Sequence, residues 1–477
     1  MKKEFMAVFS GFPEHHFSNE ITKRLSEELT VRRSIVFITA CPLDYEQNDD
    51  DCDGMHEMFA EQGLGFDDHC VIDKRTDPSE AKRLVENADC IFLMGGGVCE
   101  EQLDLIREKG CYDALLNGHA AVFGVSAGSM NMAKDTVDFF ESMEPFPGLG
   151  FTNITVSAHH DPEDEWRYEQ TLRMSENRTV YAMEDMTAFF IKAGKIDTVG
   201  NIYRAENRKL RPLNDEDIRE LESYYYVENN SRIWDERSEN SDQWSIPVSS
   251  EVVEEARKGN WSIILTPVKS VPRNWFPDDM TGKKILCLAS GGGQQGPVLA
   301  AAGADVTVFD NSKGQLEKDA FVAKRDGLTI KTVQGDMKDL SVFEDECFDV
   351  IVHPWSNNYV DDILVVWREC ARVLKKGGVL MAGFGSPLEY IFDIEQFEKG
   401  RLELKYSIPY ADIDHLDDPK VREVAEAEGY SWGHPLEEQI QGQISAGFMI
   451  AGFYEDRGCA QLDKYINTSM ATKAVKC

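Results

Sequence analysis

Short apolar runs alternate with helix-length segments along the chain, and no other feature limits the possible folds as strongly. In the first half the apolar runs are residues 5–9, 34–40, 90–94 and 121–125. Each run has the length of a buried strand, and each intervening segment is long enough for a helix. This pattern predicts a mostly parallel sheet with helices on both faces. Short closing strands are expected at residues 180–183, 188–192 and 195–199.

A second series of the same kind begins at Lys284. Its candidate strands are residues 285–289, 305–309, 329–334, 348–352 and 378–384. A short strand is expected near residues 402–407, and an antiparallel pair at 447–454 and 468–475. The sequence therefore predicts an α/β protein with two doubly wound domains, the second of which ends in a closing antiparallel hairpin.

Residues 214–245 separate the two series and are strongly polar. Such a composition indicates a connector that is partly helical. We therefore expect one domain over residues 1–213 and another over residues 246–477, with the connector at 214–245. The length of 477 residues suits two domains.

The charge balance and the cysteines limit the partners and the compartment. With 85 acidic and 50 basic residues the net charge is −35, and such a field repels nucleic-acid phosphates and anionic membranes. We therefore expect neither as a partner. The 11 cysteines include no C-x-x-C pair, which argues against a disulfide framework and a cysteine-rich zinc site and favours the reducing cytoplasm.

The second series opens with a glycine-rich turn. Residues 284–296 read KILCLASGGGQQG, and Pro297 stands where a helix would begin. Glycines let a backbone approach a ligand closely, and a helix N-terminus offers free N–H groups. Asp310 ends the next strand, where a carboxylate can accept both hydroxyls of a ribose, and Asp336 follows the third strand. These strand ends predict a site for an adenosine.

The same residues allow other interpretations. Residues 291–296 also satisfy G-x-G-x-x-G, which is typical of nicotinamide and flavin sites, and a glycine turn can simply serve tight packing. Neither alternative requires the Gly-Asp-Met turn at 335–337, the Lys-Lys-Gly-Gly turn at 375–378 or the closing hairpin. With these motifs, residues 246–477 resemble the class I S-adenosylmethionine-dependent methyltransferases.

The resemblance implies a Rossmann-like sheet and S-adenosylmethionine as the cofactor. The implied cofactor-binding residues are Ala289, Ser290, Gly291, Gly293, Asp310, Asp336 and Met337. Two positions depart from the family pattern, since Cys287 stands where an acid is frequent and Ala289 replaces the first glycine. His353, after the fourth strand, is either a base beside the methyl acceptor or a strand-end histidine with satisfied hydrogen bonds.

A second chemical motif lies in the first series. Residues 124–128 read GVSAG, the pattern of a nucleophile elbow, with Ser126 between a strand and a helix. The N–H of Ala127 then faces a developing oxyanion, and Gly96 in the glycine turn at 94–97 offers a second donor. His159 and His160 follow Ser126 by 33 and 34 residues and are candidates for the base.

These motifs, together with AHHD at residues 158–161, resemble the peptidase E family of aspartyl dipeptidases over residues 1–213. The resemblance implies a glutamine-amidotransferase-like sheet, with Ser126 as the nucleophile and His159 as the base. It also implies serine-dependent hydrolysis of short peptides. Three acids compete for the third place of the triad, namely Asp135, Asp138 and Glu141.

The sequence thus predicts a bifunctional enzyme, with a serine peptidase joined to a methyltransferase for a small molecule or a peptide. Ser126 can instead be a small residue in the turn of a non-catalytic domain that binds or regulates. The second domain can instead bind NAD as an oxidoreductase. A metal held by His159, His160 and the acids at 161, 163 and 164 is a further alternative, but those acids are more simply a solvated first helical turn, and we expect no metal. The oligomeric state stays open.

Overall fold

The computed structural model describes residues 5–138, 142–240, 242–458 and 461–477. Its internal contacts divide the chain into two units, Met1–Tyr225 and Tyr226–Cys477. In each unit the main sheet has a hydrophobic core on both faces. Among the described helices, none combines the length and the apolar character needed to cross a membrane.

The first unit contains thirteen strands and seven complete helices among its described residues. The strands are β1 (Phe5–Phe9), β2 (Ser34–Ile38), β3 (Asp68–Ile72), β4 (Cys90–Leu93), β5 (Ala121–Val125), β6 (Asp135–Thr136), β7 (Phe146–Pro147), β8 (Val156–Ser157), β9 (Val180–Met183), β10 (Ala188–Lys192), β11 (Lys195–Val199), β12 (Ile202–Glu206) and β13 (Lys209–Pro212). The helices are α1 (Asn19–Glu28), α2 (Tyr45–Glu61), α3 (Pro78–Asn87), α4 (Cys99–Glu108), α5 (Tyr112–Asn117), α6 (Ala127–Asn131) and α7 (Glu165–Met174).

The main sheet of the first unit has the strand order β11-β10-β1-β5-β4-β2-β3. The five strands β1, β5, β4, β2 and β3 run parallel. Strand β10 extends the sheet antiparallel to β1, and β11 pairs antiparallel with β10. A smaller sheet has the order β13-β12-β9-β8. The predicted α/β architecture is confirmed. The sequence pattern does not predict β3, because Asp68 and His69 open this strand with polar residues.

Helix α8 (Asp215–Glu239) occupies most of the segment that we expected to be a connector. The division between the units falls inside this helix, at Tyr225 and Tyr226, and at neither end of the expected segment. Beyond the division its residues contact the rest of the second unit. The side-chain amide of Asn230 donates to the Tyr430 carbonyl at 3.0 Å. The Gly314 N–H donates to an Asp235 side-chain oxygen at 2.7 Å.

The second unit has nine strands and seven further helices among its described residues. The strands are β14 (Lys284–Leu288), β15 (Asp305–Asp310), β16 (Ile330–Gln334), β17 (Phe348–His353), β18 (Leu374–Gly385), β19 (Tyr410–Ala411), β20 (Trp432–Gly433), β21 (Phe448–Asp456) and β22 (Ser469–Lys476). The helices are α9 (Ser250–Arg257), α10 (Gln295–Ala301), α11 (Lys313–Asp326), α12 (Ile363–Val373), α13 (Ile394–Glu398), α14 (Pro419–Glu428) and α15 (Gly442–Ser445). Short 3₁₀ turns lie at Gln243–Ser245, Arg273–Trp275, Asn357–Tyr359, Pro387–Tyr390, Asp412–Asp414 and Leu462–Lys464, and a π turn at Glu437–Gln441.

The main sheet of the second unit has the order β16-β15-β14-β17-β18-β22-β21. The five neighbouring strands β16, β15, β14, β17 and β18 run parallel. Strand β22 pairs antiparallel with β18, and β21 pairs antiparallel with β22 at the edge of the sheet. The predicted Rossmann-like sheet with a closing hairpin is therefore confirmed. The strand expected near residues 402–407 is wrong, since Leu404 makes only an isolated bridge to Phe392 in this otherwise irregular segment.

Candidate active sites

Ser126 lies at a sharp turn between β5 and α6. Its backbone has φ 52° and ψ −118°, a region that residues with a side chain seldom adopt. The neighbouring glycines allow this turn. A Cβ on Gly124 would come within 2.7 Å of the Gly128 backbone, and one on Gly128 would overlap the Leu93 carbonyl. The glycines of the G-x-S-x-G pattern therefore permit the close packing around the serine.

His159 lies between the serine and a carboxylate. Its Nε2 is 2.9 Å from the Ser126 hydroxyl, and its Nδ1 is 2.6 Å from Oδ1 of Asp185. Ser10 fixes the His159 backbone, because its hydroxyl accepts from the His159 N–H at 2.7 Å and donates to the Met183 carbonyl at 2.9 Å. The result is a hydrogen-bonded Ser–His–Asp chain, which is an arrangement suited to acyl transfer.

The acid of this chain differs from those that the sequence offered. Asp185 follows β9 and lies 26 residues beyond His159. Asp138 instead accepts a hydrogen bond from the first backbone amide of α4, and Asp135 lies in β6. The expectation of Asp135 or Asp138 is therefore wrong, and Glu141 lies outside the described residues. The available signal in the sequence is the pair of acids, Glu184 and Asp185, that follows the buried strand at 180–183.

Gly11, two residues after the end of β1, lies against the histidine and the acid. A Cβ at this position would overlap both the Asp185 carboxylate and the His159 ring. The Gly11 carbonyl also accepts from the Met186 N–H at 2.9 Å, which fixes the loop that carries Asp185. A residue without a side chain is therefore required at position 11, and the sequence analysis did not single it out.

The two expected oxyanion turns lie at the same edge of the sheet. Strands β4 and β5 pair in parallel with Leu93 opposite Gly124, so the turns that follow them are neighbours. Gly96 has φ 90°, which favours glycine, and Ala127 is the first residue of α6, where an N–H has no acceptor within the helix. That these two amides bind an oxyanion stays a prediction.

His160 does not share the position of its neighbour. Its ring is 3% exposed and lies 5.4 Å from the Tyr203 ring, and burial lowers the pKa of His160. Neither ring nitrogen has a hydrogen-bond partner among the described residues. Asp164 caps α7 by accepting from the N–H groups of Trp166 and Arg167, and Asp161 accepts from the Glu163 N–H just before the helix. These contacts favour helix capping over the metal alternative for this segment.

The glycine-rich turn of the second unit is fixed by hydrogen bonds to its backbone. Ala289 has φ 46°, and its N–H donates to the Phe309 carbonyl at 2.7 Å. The Gly291 N–H donates to Oδ2 of Asp310 at 2.9 Å. A Cβ on Gly291 would come within 2.6 Å of the Gln315 side chain. Asp310 thereby links the end of β15 to the turn that follows β14.

A cavity of about 650 Å³ opens beside this turn, at the carboxyl ends of the parallel strands. The predicted cofactor residues that line it are Ala289, Ser290, Gly291, Asp310, Asp336 and Met337. The Ser290 hydroxyl oxygen is buried and has no hydrogen-bond partner among the described residues. An unsatisfied buried hydroxyl is costly, so its position at a cavity indicates a polar ligand group.

Gly293 is the one predicted cofactor residue outside this lining. Its N–H donates to Oδ2 of Asp319 at 3.0 Å, and its carbonyl accepts from the Val248 N–H at 2.9 Å. Its φ of 72° favours glycine. Gly293 therefore shapes the turn through its backbone, and its contact with the cofactor stays a prediction.

Burial dominates the electrostatics of the strand ends. Burial raises the pKa of Asp310, although the N–H groups of Ser312 and Gly291 donate to its two oxygens at 3.0 and 2.9 Å. Burial also raises the pKa of Asp336. Behind the turn, burial raises the pKa of the completely buried Asp319 to about 8. Carboxylates held in this way gain from a ligand that donates hydrogen bonds or carries positive charge.

His353 is a strand-end histidine with satisfied hydrogen bonds, which is the second of its two predicted roles. It is 0% exposed, its Nδ1 lies 3.0 Å from the Leu288 carbonyl, and its Nε2 contacts the side-chain oxygen of Asn357. Burial lowers the pKa of His353, which therefore favours the neutral ring. The cavity is lined instead by Trp355 and Asn358, which follow it in the chain.

A further wall of the cavity is one that the sequence analysis missed. Its side chains are mostly aromatic and acidic, and they come from residues 386–433. The aromatic members are Tyr390, Phe392, Phe397, Tyr406 and Tyr410, and the acidic members Glu389, Glu398, Asp412 and Glu428. The segment has little regular structure and so lacks the periodicity that marks a strand or a long helix.

Family comparisons cover both halves of the chain. Residues 6–199 match the model of peptidase family S51, and residues 286–382 match that of a methyltransferase domain. Over 251 residues the chain is 55% identical to the uncharacterized methyltransferase YbaJ of Bacillus subtilis (strain 168), a match that covers 52% of this chain and 98% of that protein. A ubiquinone biosynthesis O-methyltransferase of Vibrio vulnificus (strain YJ016) is 31% identical over 140 residues, covering 29% of this chain and 58% of that protein.

Similar solved structures include an S-adenosylmethionine dependent methyltransferase from Mesorhizobium loti, with 18% identity and a TM-score of 0.34 over 43% of this chain and 95% of that one. A peptidase from an acI-B1 Actinobacterium has 16% identity and a TM-score of 0.37 over 44% of this chain and 94% of that one. The sequence matches rather than these structures assign the family, because the chain covers nearly all of YbaJ at high identity and the S51 model spans the main sheet of the first unit. The chain therefore belongs to the methyltransferase family of YbaJ in its second half and joins to it a peptidase family S51 domain.

Proposed function

We propose that the second unit transfers a methyl group from S-adenosylmethionine to a small molecule or a peptide. The observation that carries this proposal is the cavity at the strand ends, where a buried Ser290 hydroxyl lacks a partner beside Asp310 and Asp336. In doubly wound sheets, ligands bind beyond the carboxyl ends of the strands. The match to a methyltransferase domain supports the same cofactor.

The residues present fit an adenosine with a positively charged substituent. A carboxylate has about four acceptor positions, and each Asp310 oxygen uses one of them for a backbone amide. Lone pairs therefore remain for two ribose hydroxyls, while Asp336 and Met337 would hold the adenine. S-adenosylmethionine, when bound, supplies a methyl group on a cationic sulfur. The protein would act by positioning the acceptor and excluding water.

Calorimetry with S-adenosylmethionine and NADH tests this proposal. Wild type should bind S-adenosylmethionine, and Asp310→Ala should weaken binding about tenfold to a hundredfold, because two hydroxyls lose a charged acceptor. Asp305→Ala is the matched control, since Asp305 is an exposed acid at the opposite end of the same strand. Tight binding of NADH without any response to S-adenosylmethionine would contradict the proposal and favour an oxidoreductase.

For the first unit we propose serine-dependent hydrolysis of short peptides. The observation that carries this second function is the hydrogen-bonded chain of Ser126, His159 and Asp185. His159 Nε2 would take the Ser126 proton as the hydroxyl oxygen attacks the peptide carbonyl, and would then give that proton to the leaving amine. Asp185 would orient the imidazole and stabilise its protonated form, while the amides of Gly96 and Ala127 would stabilise the oxyanion.

A panel of dipeptides, including ones with an N-terminal acidic residue, tests this function. Wild type should release free amino acids, and Ser126→Ala and His159→Ala should each lower the rate at least about 1,000-fold, because nucleophile and base act as one unit. An unchanged thermal transition of the first unit, which S-adenosylhomocysteine should not shift, would serve as the control for folding. No cleavage by the wild type would favour a binding or regulatory role for the first unit.

Both activities would take place in the cytoplasm in this proposal. All ten cysteines among the described residues are free thiols, and several of them, such as Cys90 and Cys287, are completely buried. Free buried thiols suit a reducing compartment. The strong negative charge supports small-molecule or peptide substrates in preference to nucleic acid or membrane surfaces.

A further inference from the structure

The cavity of the second unit has two chemically different parts. One part is formed by the strand ends and suits an adenosine, as described above. The other part is an aromatic wall built from Trp355, Tyr390, Tyr406 and Tyr410, together with nearby phenylalanines. The rings of Tyr390 and Tyr410 are 5.4 Å apart, and those of Tyr406 and Tyr410 are 5.2 Å apart. This wall is the part left for the methyl acceptor.

Two glycines hold the aromatic wall in place. A Cβ on Gly433 would come within 2.8 Å of the Tyr390 ring, and a Cβ on Gly385 within 2.9 Å of the Trp355 ring. The rings therefore pack directly against the backbone of β20 and β18. Rings fixed in this way present a preformed surface, and the ordering of these side chains costs no further free energy on binding.

Two carboxyl groups stand at the aromatic wall. Asp412 is 5% exposed, and its oxygens accept from the Tyr410 hydroxyl at 2.8 Å and from the Ser431 N–H at 2.7 Å. Glu389 lies next to Tyr390, and its Oε1 is buried with no hydrogen-bond partner among the described residues. A buried carboxylate oxygen without a donor is costly, so a ligand that donates to it is strongly favoured.

The ionisable side chains of the cavity lining are predominantly acidic. Six acids line the cavity, namely Asp310, Asp336, Glu389, Glu398, Asp412 and Glu428, and Arg237 is the one cationic residue among the described lining residues. Arg237 already lies 3.5 Å from Glu428 and over the Trp234 ring. A cationic ligand is therefore attracted to the cavity and an anionic one is repelled.

We infer that the methyl acceptor is a primary or secondary amine on an apolar or aromatic body, bound as an ammonium against Glu389, Asp412 and the tyrosine faces. The inference rests on the proposed methyl transfer and adds the acceptor class. An ammonium beside Glu389 offers hydrogen-bond donors and a positive charge to its carboxylate, and it interacts favourably with aromatic faces. The apolar body of the amine packs against Trp355 and Phe392.

An amine acceptor must lose a proton before it can be methylated, and Glu389 is placed to take it. Burial raises the pKa of Glu389 to about 7, partly offset by a hydrogen bond from Thr468. The carboxylate takes one proton from the ammonium, which frees the nitrogen lone pair. That pair forms the N–C bond as the C–S bond breaks, and the electrons of the broken bond stay on sulfur. The products are the methylated ammonium and neutral S-adenosylhomocysteine, and Glu389 returns its proton to water.

A hydroxyl acceptor, as the name of the Vibrio relative suggests for that protein, fits this wall less well. Methylation of a phenol or carboxylic acid proceeds through an oxygen that carries negative charge. Glu389 and Asp412 would oppose that charge, and the one cation of the lining is already paired with Glu428. Ligands of similar shape that differ in charge can therefore test the acceptor class directly.

Calorimetry on the full chain saturated with S-adenosylhomocysteine makes this comparison. The probes are 2-phenylethylamine and tryptamine, their alcohols 2-phenylethanol and tryptophol, and the acids 3-phenylpropionate and indole-3-propionate. At least one amine should bind tenfold or more tightly than its alcohol, and neither acid should bind measurably. Glu389→Gln should weaken amine binding about tenfold to a hundredfold and leave S-adenosylhomocysteine binding within twofold.

Glu395→Gln is the matched control, because Glu395 is an exposed acid on α13 that pairs with Lys399 and does not line the cavity. It should leave amine binding unchanged. If S-adenosylhomocysteine binds but the alcohols or acids bind as well as the amines, or no amine binds, the acceptor class is wrong and the methyl transfer proposal stands. If wild type does not bind S-adenosylhomocysteine, both proposals fail.

Discussion

The two units place their functional groups in different ways. In the first unit the candidate groups touch one another, since His159 lies 2.9 Å from Ser126 and 2.6 Å from Asp185. In the second unit the candidate groups line a cavity, and Asp310 and Glu389 are held by separate parts of the chain. Covalent catalysis needs a preassembled nucleophile and base, whereas transfer between two bound ligands needs a shaped and charged space. Loss of a single group should therefore be severe in the first site and graded in the second.

The acid of the triad gives the strongest test of this contrast. Asp185→Asn should lower kcat/KM for dipeptide hydrolysis about 1,000- to 10,000-fold, because an amide no longer holds the imidazole in the required tautomer or stabilises its protonated form. Asp138→Asn is the matched control, since Asp138 is also a buried acid near this sheet edge but accepts from an α4 amide. Steady-state kinetics of the two variants show which of the two acids acts in the triad. A larger loss for the Asp138 variant would restore the acid expected from the sequence.

A substitution that adds only one methyl group tests how closely the first site is assembled. Gly11→Ala places a Cβ against both the His159 ring and the Asp185 carboxylate, and displacing these groups should lower the hydrolysis rate about 100-fold. Gly54→Ala is the control, because Gly54 lies within α2 with open space around it. That variant should keep its activity and gain about 0.5–1 kcal/mol in free energy of unfolding. Full activity in Gly11→Ala would show that the site tolerates displacement.

The sequence predicts the sheets and their turns because these signals are local. Each buried strand is a continuous apolar run, and the turns that carry Ser126 and Gly291 are marked by glycines within a few residues. Asp185 is not predictable in the same way, because β9 of the smaller sheet brings it to His159 from 26 residues away. The orientation of His353 depends on which face of β17 it occupies, and the strand pattern alone does not settle that for the last residue of a strand.

The aromatic wall cannot be predicted from hydrophobic periodicity, for a related reason. Residues 386–433 contain short turns, α13 and α14 and the two-residue strands β19 and β20, so their side chains show no regular period. Their grouping depends on close approaches such as that of Gly433 to Tyr390. Charge and composition still carry information here, because the excess of acids over bases in the whole chain recurs in the lining of the cavity.

The last prediction concerns the stability of the second unit, and it tests a buried acid that supports the glycine turn without lining the cavity. Burial raises the pKa of Asp319 to about 8, with a further increase from the nearby Asp310 charge, while its Oδ2 accepts from the Gly293 N–H. The folded state therefore binds this proton more tightly than the unfolded state, whose carboxyl has a pKa near 4. The contribution of Asp319 to stability is fully present below about pH 4 and decreases as pH rises toward 8, by at most about 1.4 kcal/mol per pH unit. Asp319→Asn mimics the protonated acid and should remove this loss. The thermal transition of the second unit, identified as the one that S-adenosylhomocysteine shifts, should therefore lie higher in the variant than in wild type at pH 8 and differ little at pH 5. Glu317→Gln on the exposed side of the same helix should leave the pH dependence as in wild type. If Asp319→Asn instead lowers that transition at pH 8, the carboxylate is charged in the folded protein and its charge supports the glycine turn.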